Sequence, residues 1–344
     1  MNSGKVPVNV LKRSVLRQLK NKRTEIANSA GLGADCAVFA PFSEGQLVTC
    51  VQEGVVELQC ENDLAEAERE DLSVMPMRRI FQKCANNLAA AGAEPVAAEL
   101  VIFLPETVEE PELKALMEEA ERAATDLNIQ IIGGQTRVSS AVRQPIATVT
   151  GYGILSEAAV TQVSAGKILA GQDIIITKWI GLEGTADLAA RNREGLLTRY
   201  PAYLVEEAAA FDRYYSILPE AATAVKSGGC TMHDASEGGI FAGLWEMAEG
   251  AGVGLTIDMK KLPLRQETVE VCEYCNVNPY ELRSGGSLII ASPEGTAVVE
   301  ALVAEGIPAV IVGRFTDSNE RLILNEDEVR YMDRPQRDEI YKSV

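Results

Sequence analysis

The sequence predicts an α+β protein of two domains, and three observations carry that reading. The chain has 344 residues, long enough for two buried cores. Short apolar runs of strand type alternate with segments of helical period along most of its length. A stretch of small and polar residues over 155–172 then interrupts the alternation. It sets a boundary near residue 160, with one domain over 1–160 and the other over 161–344.

The first half reads as a layered sheet, taken in order. A basic amphipathic segment over 8–26 predicts a helix that packs on a partner surface. A glycine turn, Gly31-Leu32-Gly33-Ala34-Asp35, leads into the next strand. A strand over 47–51 ends at Gln52-Glu53-Gly54, which puts Glu53 at a strand tip. Over 74–91, Val74, Met77, Ile80, Phe81, Cys84, Leu88 and Ala91 share a helix face, and Gly92 is a natural stop. Asn86 and Asn87 sit near the end of that helix. A strand over 97–103 and a helix over 111–127 follow, with Pro111 suited to the first turn. A buried strand over 129–132 runs into Gly133-Gly134-Gln135-Thr136, whose glycines let the backbone approach a ligand or another strand. A strand over 145–153 closes the half, which suits an α+β layer better than a doubly wound sheet.

The second half opens with a strand over 173–177 that enters Lys178-Trp179-Ile180-Gly181-Leu182-Glu183-Gly184-Thr185, another glycine-rich passage into a helix. Helices over 186–193, 203–214 and 218–226 come next. His233-Asp234-Ala235-Ser236-Glu237-Gly238-Gly239 holds the only histidine and reads as a strand turning sharply into a helix over 240–249. Ser236 or Asp234 is a candidate N-cap. Backbone N–H groups gathered at such a helix start can hold an anion such as phosphate, while the plainer reading is a capped helix with a surface histidine. Strands over 254–257, 287–291, 309–315 and 321–324 and helices over 265–275 and 294–305 complete the chain.

Composition bounds the function. Apolar residues make up 47% and charged residues 24%, as in globular proteins. Fifty acids against 32 bases give a formal charge of −18, which argues against nucleic acid and anionic membranes as partners. Seven scattered cysteines form no disulfide framework, no apolar run reaches the length of a membrane span, and no leader peptide is evident. These features predict a protein of the reducing cytoplasm. Cys272 and Cys275 form a single C-x-x-C with no histidine nearby, which favours buried packing over zinc. No P-loop is present, and one histidine among scattered serines does not define a hydrolase triad. What remains is a series of glycine turns carrying Asp35, Glu53, Asn86, Asn87, Gln135, Glu183, His233 and Asp234. Carboxylates and amides in such places can hold Mg²⁺, and through it a polyphosphate.

The order of these motifs resembles the aminoimidazole-ribonucleotide synthetase superfamily, whose members include that purine enzyme, selenophosphate synthetase, thiamine-monophosphate kinase and the hydrogenase-maturation carbamoyl dehydratase. The resemblance runs over nearly the whole chain and is strongest at GLGADCAV (31–38), NNLAAAGA (86–93), GGQTRV (133–138), KWIGLEGTA (178–186) and HDASEGGI (233–240). The stretch over 252–279 is similar to the hydrogenase-maturation branch. The resemblance implies a homodimer whose N-terminal sheets pair and an α/β-layered C-terminal domain. It also implies ATP with Mg²⁺ in a cleft and ATP-dependent phosphorylation of an amide or carbonyl oxygen on a small-molecule substrate.

By the same resemblance, Asp35 and Glu53 are metal ligands, and His233 and Asp234 are catalytic. Gly31, Gly33, Asn86, Asn87, Gly133, Gly134, Gln135, Thr136, Lys178, Gly181 and Gly184 hold the nucleotide. The chain departs from the family pattern at Glu53, Asn87 and Gln135, where aspartate is usual. An amide offers one neutral oxygen in place of a charged pair. The family's dehydratase carries its substrate on a C-terminal cysteine, whereas here the last cysteine is Cys275. Two readings follow. The leading one is a hydrogenase-maturation-like ATP-dependent enzyme with a maturation partner protein. The other is a nucleotide-binding member without turnover that acts as an assembly or regulatory partner.

Overall fold

A computed structural model describes residues 4–5, 10–28, 38–39, 45–56, 58, 74–157, 159, 168–227, 231–334 and 337–342. It divides into two units, the first built mostly from residues up to Glu157 and the second mostly from Ala158 onward. Strands of the first unit are β1 (Gly4–Lys5), β2 (Ile26–Asn28), β3 (Val38–Phe39), β4 (Gln46–Val56), β5 (Val74–Met75), β6 (Glu94–Leu104), β7 (Gln130–Val138) and β8 (Ile146–Leu155). Six form a mixed sheet in the order β1-β7-β6-β8-β4-β5, while β2 and β3 pair by themselves. Helix α1 (Met77–Ala90) precedes β6, and α2 (Glu110–Asp126) is the crossover between parallel β6 and β7.

Two-residue alternation makes this sheet one-sided. In β8, Ala147 and Val149 are buried, while Ile146, Thr148, Thr150 and Tyr152 on the other face are half-buried. The inner face meets α1, whose Ile80 lies against Gly54 and whose Leu88 lies against Gly151 and Gly153. On the outer face Leu47, Val51 and Phe103 remain 47%, 55% and 38% exposed. Ile26 and Phe39 of the small ribbon cover one end of that face, packing with Tyr152 and Ile154. Among the described residues, nothing covers the rest of it.

Strands of the second unit are β9 (Asp173–Thr177), β10 (Thr231–Asp234), β11 (Gly254–Asp258), β12 (Leu288–Ser292), β13 (Ala309–Thr316), β14 (Arg321–Asn325) and β15 (Glu328–Tyr331). Their order is β10-β12-β9-β13-β11-β14-β15, with only β11 and β14 parallel. Helices α3 (Leu182–Arg191), α4 (Arg193–Arg199), α5 (Ala202–Ala209), α6 (Leu218–Lys226), α7 (Gly239–Ala251), α8 (Gln266–Cys275) and α9 (Gly295–Ala304) complete it. Ile174, Ile176 and Ile289 pack with Ile240 and Leu244 of α7. Ile175, Leu288 and Ile290 pack with Ala221 of α6 and Val298 of α9 on the opposite face. A strand covered on both faces must be apolar throughout, which is what Ile174-Ile175-Ile176 supplies. The α+β fold with a layered second half is therefore as the sequence predicts, and β9 and α6 match residue for residue.

Several elements differ from the sequence reading. The helix over 8–26 shrinks to one π-helical turn, Leu11–Leu16, and Ile26 enters β2. Side chains of the following elements draw this segment out. Lys20 and Asn21 donate their backbone N–H groups to Glu121, and Arg23 donates its own to Gln130. Val74 belongs to β5 rather than to α1, because Pro76 keeps Met75 extended. Glu53 is not at a strand tip, since β4 continues to Val56. The predicted N-caps Ser236 and Asp234 give way to Gly238, whose φ is +79°. The helix over 203–214 breaks at Ala209, and the chain continues as a 3-10 turn, Ala210–Tyr214.

Gly133-Gly134 is not a turn either but the middle of β7. Gly134 has φ +136°, and a Cβ there would lie 1.9 Å from the Leu100 carbonyl oxygen of β6. The two strands approach at that point only because the side chain is missing. Gly134→Ala is expected to lower stability by about 3 kcal/mol, through overpacking and a disfavoured φ. A shift of the urea midpoint at constant slope would report it.

Candidate functional site

Register across the first sheet assembles a polar row. Glu53 of β4 lies opposite Thr148 of β8, Thr148 opposite Val101 of β6, and Val101 opposite Gln135 of β7. Directly paired residues share a face, so the row crosses the open side of the sheet. Glu53 and Gln135 are both exposed. Three strand spacings of about 4.8 Å put their backbones roughly 14 Å apart. Glu99 lies opposite Gly133 on the same face and accepts the Tyr152 hydroxyl at 3.2 Å. Burial first, then the Glu99 charge, pushes the Tyr152 phenol above its ordinary value.

The other predicted residues of this unit lie elsewhere. Thr136 is buried on the inner face, where helix α1 packs. Asn86 is buried in α1 and its Oδ1 accepts Gln82 Nε2 at 2.8 Å, while Asn87 beside it is half-buried. Gly31, Gly33 and Asp35 lie outside the described residues. Among the described residues, no group of three His, Cys, Asp or Glu side chains could hold a metal ion.

In the second unit, Lys178 leaves β9 with φ +51°, a left-handed conformation rare for a lysine. Its ammonium is buried and donates to Tyr214 O at 2.8 Å, Ser216 O at 2.6 Å and Glu220 Oε1 at 2.6 Å. A lysine has three donors, and all three are used. Burial lowers its pKa, and the charges of Glu220 and Asp234 offset that only in part. Gly181 opens α3 and donates its N–H to Ser284 Oγ at 2.8 Å, and Gly184 donates its own to Arg283 O at 3.0 Å. Arg283, itself buried, stands 4.0 Å from Glu183 and 3.9 Å from Asp187.

His233 and Asp234 are adjacent in β10 and so face opposite ways. Asp234 is buried on the Lys178 side. His233 turns to α7, where Nε2 lies 3.2 Å from Glu246 Oε2 near the surface. The two residues assigned to catalysis therefore do not meet. At the start of α7 the Gly238 N–H donates to Asp338 Oδ2 at 2.6 Å, and Asp338 Oδ1 accepts the Ile340 N–H at 2.9 Å. The anion expected at this helix start is thus the chain's own carboxylate. Burial pushes the Asp338 carboxyl above its ordinary pKa, against the pull of those two N–H donors. Glu220, Arg283 and Asp338 carry no sequence signal, because each meets its partner only through the fold. Cys272 is buried and Cys275 half-buried among apolar residues, as expected, with thiols pushed up to about 12 and about 11 by burial.

A one-sided mixed sheet joined in one chain to a mostly antiparallel sheet whose central strands are covered on both faces is the architecture of two-domain, AIR-synthetase-like proteins. Family comparison agrees over both units. AIR synthase related protein, N-terminal domain, matches residues 78–155, and its C-terminal domain matches residues 170–325. The chain belongs to the AIR synthase related family. Carbamoyl dehydratase HypE of Rhodobacter capsulatus is 30% identical over 236 residues, 67% of this chain and 66% of that protein. The matched region thus spans just under two thirds of this relative. Hydrogenase maturation protein HypE in complex with ATP superposes with a TM-score of 0.72 at 18% identity, covering 96% of this chain and 95% of that one. A HypE–HypF complex superposes with a TM-score of 0.64 at 20% identity, covering 86% and 92%. Among the described residues, no helix is long and apolar enough to cross a membrane.

The Lys178–Glu220 pair has a measurable consequence. Glu220→Ala is expected to cost about 3–5 kcal/mol, because a buried ammonium loses its counter-charge. Lys178→Met with Glu220→Leu should recover most of that loss. Denaturant melts of the single and double variants check both statements.

Proposed function

We propose that this protein is an ATP-using enzyme of the hydrogenase-maturation type, acting on a small amide or carboxyl substrate. The single observation that carries the reading is the row from Glu53 to Gln135 on the open sheet face. It supplies one carboxylate and one amide, with the Gly133 backbone two residues from Gln135 on the same strand, in a chain similar to a carbamoyl dehydratase. Mg²⁺ is usually held by one or two carboxylates with phosphate oxygens and water, so Glu53 and Asp35 form a donor set of the right kind. A backbone separation of roughly 14 Å between Glu53 and Gln135 leaves Glu53, the carboxylate, as the ion ligand of the row and Gln135 as a separate polar contact. The formal charge of −18 opposes a bare anionic ligand, which favours a nucleotide loaded with Mg²⁺.

When bound, ATP supplies the phosphoryl group that turns a carbonyl or amide oxygen into a leaving group, and Mg²⁺ offsets the phosphate charge. In this reading Glu53 holds the ion, while Gln135 and Gly133 line the far end of the ligand. His233 and Asp234 act separately, with Asp234 as the inward-facing acid beside Lys178. A maturation partner protein docks on the assembled enzyme.

The open face also supports a homodimer, since Val51, Leu47 and Phe103 would be covered by a second copy. Light scattering should give twice the 37.0 kDa chain mass. Val51→Asp should shift the protein toward the single-chain mass.

Calorimetric titration tests the nucleotide. Glu53→Gln is expected to weaken Mg²⁺-dependent ATP binding about tenfold, the equivalent of about 1.4 kcal/mol. Equal affinity of wild type and Glu53→Gln would remove Glu53 from the metal site.

A further inference from the structure

Cys50 and Cys84 meet between β4 and α1. Their sulfurs lie 3.4 Å apart, and the Cys50 thiol also donates to the Cys84 carbonyl oxygen at 3.3 Å. Gly151, the register partner of Cys50, makes room for them. A Cβ at Gly151 would stand 2.4 Å from the Cys84 sulfur and 3.6 Å from the Cys50 sulfur. Packing alone does not ask for two thiols at this contact, since an alanine or valine fills such a gap without reactive chemistry.

We infer that Cys50 and Cys84 form a reversible disulfide when the protein meets a peroxide, making this contact a site of oxidative modification. The step needs only a short closure, from 3.4 Å to the bond length of about 2.05 Å. Cys50 attacks first. It is the less buried of the two, and a hydrogen bond from the Cys84 thiol holds its pKa below the ordinary value. The same contact and burial push the Cys84 thiol up, so it stays protonated. The Cys50 thiolate takes one oxygen from the peroxide, becoming a sulfenic acid, and the other oxygen leaves as hydroxide, which takes up a proton to become water. The Cys84 sulfur, giving up its proton, then forms the S–S bond and expels the sulfenic hydroxyl as a second water. Two thiols lose two electrons and two protons, and one peroxide becomes two waters. The new bond would tie the strand that carries Glu53 to the helix that carries Asn86 and Asn87.

Full-length reduced protein, treated with a slight molar excess of hydrogen peroxide and then alkylated, tests this by intact mass and peptide mapping. The expected product has two fewer alkylated thiols and a cross-linked peptide joining Cys50 to Cys84, reversed by dithiothreitol. Cys272→Ser should keep that cross-link and Cys50→Ser should lose it. If wild-type Cys50 and Cys84 both remain open to alkylation, the inference is overturned. A Cys50 sulfinic acid beside an intact Cys84 overturns it equally.

Discussion

One buried ammonium holds the second unit's central turn in place. Lys178 Nζ joins the end of β9 to the carbonyls of Tyr214 and Ser216 and to Glu220 at the start of α6. A charge taken out of water is tolerated only when its partners are complete, so the turn has one acceptable geometry. That geometry forces Lys178 into a left-handed backbone, and the chain bears the strain because three hydrogen bonds over-determine it. Trp179 follows, with its ring 5.2 Å from that of Tyr214 and the Arg265 guanidinium 4.8 Å above it. The glycine-rich passage is thus rigid from within before any ligand arrives.

The two sheets solve opposite problems. The central strands of the second are closed on both faces by helices, so they serve as a core and leave polar groups to the strand ends. The first is closed on one face, leaving alternate residues of four strands free to carry polar groups beside exposed apolar ones. A polar row there is fixed by backbone register rather than by loops. Its members cannot shift without breaking ladder hydrogen bonds, which gives the spacing of the row the stiffness of the sheet.

Local pattern made much of the fold legible. The strand over 173–177 was legible in its Ile174-Ile175-Ile176 run, and the face of α1 from Met77 to Leu88 was visible in its spacing. The resemblance in the glycine motifs named the family. What stayed hidden depended on distant partners. The pairing of Glu53 with Gln135's row requires two antiparallel registers and one parallel one, none of which a single sequence encodes locally. Gly133-Gly134 read as a turn because glycine pairs usually mark turns, whereas here the missing Cβ admits a neighbouring strand. The resemblance put Lys178 among the nucleotide-binding residues, and in the structure its three donors are used within the fold. Strand β15 escaped notice because its turn carries Glu326 at φ +55° instead of glycine or asparagine.

The carboxylate of Asp338 on the Gly238 amide gives the start of α7 a tethered competitor. A free anion seeking that amide must displace a group whose effective local concentration is at least of millimolar order, set by the chain that holds it. The Asn278 N–H bond to Glu339 at 3.0 Å, one residue further on, shortens the tether and raises that threshold. Ordinary metabolites below that range would leave the amide untouched. The helix start is selective by occupancy, and admits only what can move the chain aside.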